Sequence, residues 1–205
     1  MLSRRLWEAH LPVAISCRDH PFVQGIASGD LDRRAFQHYV AQDAFFLEAF
    51  TRAHAHCLAR APERVTMHAF RQLLNAAEAE LELHRGYAER WGVELDADPT
   101  PATSAYTDFL LRVAATEPPG HVVAAMAPCM RLYAWLGIEL EAVASQESAY
   151  YDWVVTYASD GFQEHAATLD GLLDGLLADE AVAASHYATG MRFELAFFES
   201  SFNSG

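Results

Sequence analysis

Apolar residues recur at three- and four-residue spacing through almost the whole of this chain, and nowhere do β-branched and polar residues alternate over the length of a strand. Such a pattern buries one stripe of a helix per segment and leaves no strand to pair, so it predicts an all-α fold. The eight prolines and eleven glycines are few and gather between the periodic segments. Helices are predicted over about 3–18, 31–60, 63–91, 103–116, 120–144, 146–158, 160–177 and 179–202. Asp30 or Asp32 would cap the second, Pro62-Glu63 opens the third, Gly92 stops it, and Ser159-Asp160 offers an N-cap between the sixth and seventh. Residues 93–101 form the one linker-like loop, too short to separate domains. The expectation is a single domain over residues 1–205, a bundle of about eight helices.

Charge narrows the partners. Fourteen basic residues, all arginine, stand against 28 acids, for a net charge of −14. A surface this acidic repels phosphate backbones and anionic lipid headgroups, which argues against nucleic acid and membrane as partners. Three cysteines, Cys17, Cys57 and Cys129, make no CxxC pair and no even framework, which points to free thiols in a reducing compartment. The N-terminal stretch has arginines but no continuous apolar segment of signal-peptide length, and no window reaches the roughly 18 apolar residues of a membrane span. The expected location is cytoplasmic.

Candidate functional residues are polar or reactive groups that interrupt an apolar stripe. Phe36, Val40, Leu47 and Phe50 follow a 4-then-3 spacing whose missing member is Asp43, with Phe46 three residues on. A carboxylate there costs several kcal/mol to desolvate unless something donates to it, so Asp43 is either a tie to another helix or the wall of a pocket. Val122, Met126, Cys129, Tyr133 and Leu136 form a second stripe, with Pro128 inside the run to bend the helix and free a carbonyl beside the thiol. Cys17 and Cys57 lack comparable company and read as small core hydrophobes. Tyr106 leads the stripe Tyr106, Phe109, Leu110, Val113, and Tyr157 ends the stripe Tyr150, Trp153, Val154, Tyr157. Each such phenol needs a hydrogen-bond partner or a ligand. Glu199 follows Leu195 by four and precedes Phe202 by three in a very apolar segment.

At these residues the chain resembles the TenA family, also called thiaminase II or aminopyrimidine aminohydrolase. The matching runs are Tyr39-Val40-Ala41-Gln42-Asp43 with Phe46, Ala105-Tyr106-Thr107, Pro128-Cys129 with Tyr133, Thr156-Tyr157-Ala158-Ser159-Asp160-Gly161-Phe162, and Phe198-Glu199 with Phe202. The resemblance implies a haem-oxygenase-like helical fold without haem, assembled as a homotetramer. It implies hydrolysis of 4-amino-5-aminomethyl-2-methylpyrimidine to the 5-hydroxymethyl compound in thiamine salvage, with slower cleavage of thiamine. By position, Cys129 would be the nucleophile and Glu199 the acid/base. Asp43 would bind the aminopyrimidine edge with help from Tyr133. Tyr106 and Tyr157 would line the site, and Phe46 and Phe202 would wall the ring. Met130, Arg131 and Gly161 depart from the family pattern and bear on pocket shape.

The residue types suit that chemistry. A thiolate adds to an electron-poor ring, so the exocyclic C–N bond breaks and water then takes its place. The thiolate form needs nearby donors, and Tyr133 at i+4 is expected to supply one. A carboxyl buried among phenylalanines has its pKa raised into the range useful for proton transfer. No metal and no organic cofactor is expected. One alternative is a metal-dependent oxidase using Glu80, His84, His54, His56 or Glu164-His165. The doubled Glu-x-x-His spacing of di-iron bundles is lacking, however, and Glu78, Glu80 and Glu82 read as a solvated face. The other is a non-catalytic pyrimidine-binding or regulatory protein on the same fold, for which the charge disfavours direct DNA contact.

Overall fold

The computed structural model describes residues 1–95, 98–176 and 179–204. Among these there are nine α-helices and no strand: α1 (Leu2–Arg18), α2 (Pro21–Ser28), α3 (Arg33–Ala59), α4 (Arg64–Trp91), α5 (Pro101–Thr116), α6 (Pro119–Glu141), α7 (Tyr151–Ala158), α8 (Asp160–Leu176) and α9 (Glu180–Phe202). The expected all-α architecture is what the chain adopts. Asp96, Ala97 and Leu177, which fall in the predicted loop and at the predicted end of the seventh helix, lie outside the described residues.

Sequence punctuation sets most boundaries. Asp32, not Asp30, caps α3 by accepting from the Arg34 amide at 2.7 Å. Glu63 and Thr66 form a reciprocal capping box at the start of α4, and Gly92 ends that helix with φ +67°. The helix missing from the expected set is α2. It is only eight residues long, and its N-terminus rests on Pro21 and on the His20 ring, whose Nδ1 accepts from the Phe22 amide at 3.2 Å. Imidazole is outside the usual capping set, which hides the signal. The expected helix over 146–158 begins only at Tyr151, because Ser148 holds the preceding turn by donating to the Ile26 carbonyl and accepting from the Tyr150 amide.

Helix α6 is the axis of the bundle, packed on by α7, α8 and α9, while α3 packs on α4 and α5. Contrary to expectation, α6 is long and apolar enough to cross a membrane by length and composition, yet 72% of its most apolar window is buried inside the bundle. Two glycines let helices approach it closely. A Cβ on Gly190 of α9 would lie 2.7 Å from Pro128 Cγ, and one on Gly137 of α6 would lie 2.3 Å from the Tyr157 backbone. The first contact brings α9 onto the bend at Pro128; the second brings the end of α7 against α6. One helical turn from each contact lies a residue of the site: Glu194 on α9 and Tyr133 on α6.

Candidate active site

Seven helices, α3 to α9, converge on two small cavities, each of about 10 Å³, room for roughly one water molecule. Asp43, Phe46, Cys129 and Tyr133 line both. Tyr106, Glu194 and Phe197 close one of them; Glu80, Met130, Tyr157 and Phe162 are among the residues closing the other. The second adjoins a groove of about 290 Å³ that shares Phe50, Glu80, Met130 and Phe162 with it and also exposes Gly161. The structure thus brings together Asp43, Phe46, Tyr106, Cys129, Tyr133 and Tyr157 from the expected set. Of the departing positions, Met130 and Gly161 shape the pocket, whereas the Arg131 guanidinium sits over Trp7, 5.1 Å from its ring centre.

Glu199 and Phe202 are not in this group. The Glu199 side chain is 62% exposed and Phe202 is exposed. The buried stripe of α9 is Tyr187, Gly190, Met191, Glu194, Phe197, Phe198 and Ser201. Five residues turn a helix through 500°, so Glu199 points about 140° away from Glu194. Glu199 has a structural partner instead. Because His20 Nδ1 accepts from the Phe22 amide, the proton is on Nε2, which donates to Glu199 Oε2 at 2.9 Å. Glu199 thereby steadies the ring that caps α2. The carboxyl that faces the cavity is Glu194, only 2% exposed, which accepts from Tyr106 OH at 2.6 Å and lines the same cavity as the Cys129 thiol. Helix α9 is apolar on most faces, so two stripes one residue out of phase both look buried, and periodicity selected the wrong one.

His84, Glu80 and Phe197 were also missed as site residues. His84 Nδ1 donates to the Glu80 carbonyl at 2.9 Å, which fixes the ring and aims Nε2 at Asp43 Oδ2, 2.6 Å away. Burial alone would lower the His84 pKa, but the adjacent Asp43 carboxylate outweighs it and pushes the value up to about 9. This is the positive charge that a buried Asp43 requires. Glu80 points inward, not to solvent as a member of a charged face, and accepts from Tyr157 OH at 2.8 Å. Burial, opposed by His84 and aided by Asp43, pushes Glu80 up to about 7. Glu194 is pushed up to about 8, chiefly by burial and against the Tyr106 hydrogen bond.

The same surroundings act on the thiol. Burial first, then Glu194, Glu80 and Asp43, hold the Cys129 pKa well above the usual thiol value. The expectation of a resting thiolate supplied with donors is therefore corrected: three carboxyls surround the sulfur, and it rests as a thiol. The Tyr133 hydroxyl instead receives a long hydrogen bond, 3.4 Å, from Tyr39, which accepts from Trp153 Nε1 at 3.2 Å. Cys17 and Cys57 are fully buried, and burial raises both, Cys57 to about 12. Cys129 is the cysteine that reaches a cavity.

This geometry has counterparts. Residues 7–204 match the TENA/THI-4/PQQC family. The chain belongs to that family. An aminopyrimidine aminohydrolase of Halalkalibacterium halodurans is 35% identical, over 97% of this chain and 94% of the relative. A Bacillus subtilis protein of the same name is 31% identical over 71% of this chain and 64% of that one. Among solved structures, a TenA family transcription regulator from Silicibacter superposes with a TM-score of 0.91 at 27% identity, covering 98% of this chain and 96% of that one. Haem oxygenase-1 from Synechocystis, at 18% identity over 97% of this chain and 91% of that one, shares the fold with a TM-score of 0.65. The haem-oxygenase-like fold of this TENA/THI-4/PQQC member is thus shared with an enzyme of different chemistry, and function has to be argued from the cavity.

Proposed function

We propose that this protein is an aminopyrimidine aminohydrolase of the thiaminase II type, converting 4-amino-5-aminomethyl-2-methylpyrimidine to its 5-hydroxymethyl counterpart in thiamine salvage. The observation that carries the reading is one cavity lined by Cys129, the buried Glu194 and an Asp43 already paired with His84. Relatives bearing that activity in their names match over most of the chain, which supports it. Carboxyls outnumber cations around the cavity, which favours a substrate carrying an amine over its neutral alcohol product.

In the proposed cycle the aminopyrimidine edge donates to Asp43, whose other oxygen stays with His84, while Phe46 and Phe197 sandwich the ring. The thiol proton passes to Glu194 in its ionised form as the Cys129 sulfur bonds to a ring carbon, and the ring nitrogen at Asp43 borrows a proton from the His84–Asp43 pair, returning it when the aromatic ring is restored. Glu194 then returns its proton to the exocyclic nitrogen as that C–N bond breaks, releasing ammonia. Water adds to the exocyclic carbon and gives a proton to Glu194. The C–S bond breaks, which restores the aromatic ring and, with that proton, the thiol. The net change is amine plus water to alcohol plus ammonia. Tyr106 holds Glu194 in place; Tyr157 and Tyr133 form the wall beside Glu80. The cavities are smaller than a pyrimidine, so the aromatic walls part on binding.

The reading extends to a cytoplasmic homotetramer in which exposed apolar side chains such as Leu11, Ile15 and Ile138 meet sister subunits. The test is incubation with the aminomethylpyrimidine and, separately, with thiamine, following the hydroxymethyl product and ammonia. Wild type is expected to turn over both, thiamine more slowly, and Cys129→Ala to be folded and inactive. Near-wild-type turnover by Cys129→Ala would remove the nucleophile assignment. Thermal stabilisation by the pyrimidine without product would make the protein a binder only.

A further inference from the structure

A second cluster of chemically competent side chains lies where α5 meets α6, and none of its members lines the cavities described above. Glu117 follows the last turn of α5, His121 sits in the first turn of α6, and His186 comes from α9. Glu117 Oε2 is 3.1 Å from His121 Nδ1 and 2.7 Å from His186 Nε2, and one donor atom from each residue lies within 4.8 Å of the others. All three side chains are largely buried but reach solvent.

The backbone holds this arrangement firmly. Pro118 and Pro119 fix the turn after Glu117, and Arg60 donates to the Glu117 carbonyl at 2.8 Å. The His186 ring stands edge-on to Phe109 with centres 5.6 Å apart. We infer that Glu117, His121 and His186 form a binding site for a divalent transition metal, best matched by Zn²⁺. Two imidazole nitrogens and one carboxylate oxygen are a donor set this ion favours, with water in the fourth position. Bonds of about 2.0–2.2 Å around a tetrahedral ion place ligand atoms roughly 3.3–3.5 Å apart, so small side-chain rotations convert the present contacts into ligation.

Two features oppose tight binding. Arg112 stands 3.5 Å from Glu117 Oε1, although its half-exposed side chain can turn to solvent. His121 Nε2 is buried without a partner, so the ion is reached through Nδ1 and the ring lacks the outer hydrogen bond that strengthens most histidine ligands. The site is therefore an exchangeable one. It ties the α5–α6 corner to α9, the helix that carries Glu194. A run of packed rings, Phe109 tilted against Phe193 and Phe193 stacked on Tyr106, connects the two places.

The experiment is calorimetric titration of chelator-stripped, untagged protein with zinc chloride, with the melting temperature read in parallel. One ion per chain and a raised melting temperature are expected. His186→Ala and Glu117→Gln should each weaken binding by roughly tenfold or more. Zinc-free His186→Ala should turn over the aminopyrimidine at the wild-type rate, and Cys129→Ser should bind zinc like wild type. His186→Gln and His121→Gln give the same reading if an alanine variant does not fold. No saturable binding, binding unchanged in the Glu117 and His186 variants, or binding lost with Cys129→Ser would each overturn the site.

Discussion

His84 shows how a single side chain sets the state of its neighbour. Its ring is fixed by one backbone carbonyl and delivers positive charge to Asp43 at 2.6 Å. His84→Gln is expected to raise KM for the aminopyrimidine about tenfold or more while leaving the Cys129 chemistry in place, because it removes the partner that orients Asp43. Asp43→Ala should raise KM further, and an unchanged KM and kcat would take Asp43 out of the site. Glu194 makes the opposite trade. A carboxyl whose folded pKa rises from 4.5 to about 8 binds a proton that the unfolded chain has already lost, so its contribution to stability falls as pH rises through that window. The loss is at most about 5 kcal/mol. Glu194→Gln should therefore gain stability relative to wild type between pH 5 and 8, seen as a flatter dependence of denaturant midpoint on pH. His84 adds to the alkaline decline, since its raised pKa contributes stability that is lost as pH rises through about 9.

At the scale of elements, the site depends on how close α7 and α9 come to α6. Gly190→Ala pushes a methyl into Pro128, and Gly137→Ala pushes one into the Tyr157 backbone. The first meets the Pro128 ring at 2.7 Å and the Ala125 carbonyl at 3.2 Å; the second meets main chain at 2.3 Å, a harder clash. Gly137→Ala is expected to cost about 3 kcal/mol or more and Gly190→Ala about 1–2 kcal/mol, read from denaturant midpoints, with kcat lowered in both as Tyr157 or Glu194 is displaced. Glu199→Ala should loosen the cap of α2 slightly, read as a small drop in denaturant midpoint, and spare catalysis. Helix identity was largely legible in the sequence because capping residues and periodicity agree along α3, α4 and α5. Asp43 was legible because α3 has one apolar stripe with one gap. Glu194 was not, since an apolar helix gives periodicity no contrast, and His84 was not, since only tertiary packing turns that face of α4 toward Asp43.

For the whole molecule, an acidic exterior surrounds an acidic cavity. Net charge of −14 draws a cationic amine toward the protein, and Glu80, Glu194 and Asp43 lie around the cavities where it would bind, with His84 offsetting Asp43. The burial of those carboxyls next to Cys129 is the central claim, and the most direct measurement of it is kcat for the aminomethylpyrimidine in Glu194→Gln and Glu199→Gln, assayed side by side. Loss of about 10²-fold or more in Glu194→Gln with near-wild-type turnover in Glu199→Gln is the expected result. Full activity in Glu194→Gln, or its loss only in Glu199→Gln, would contradict the account.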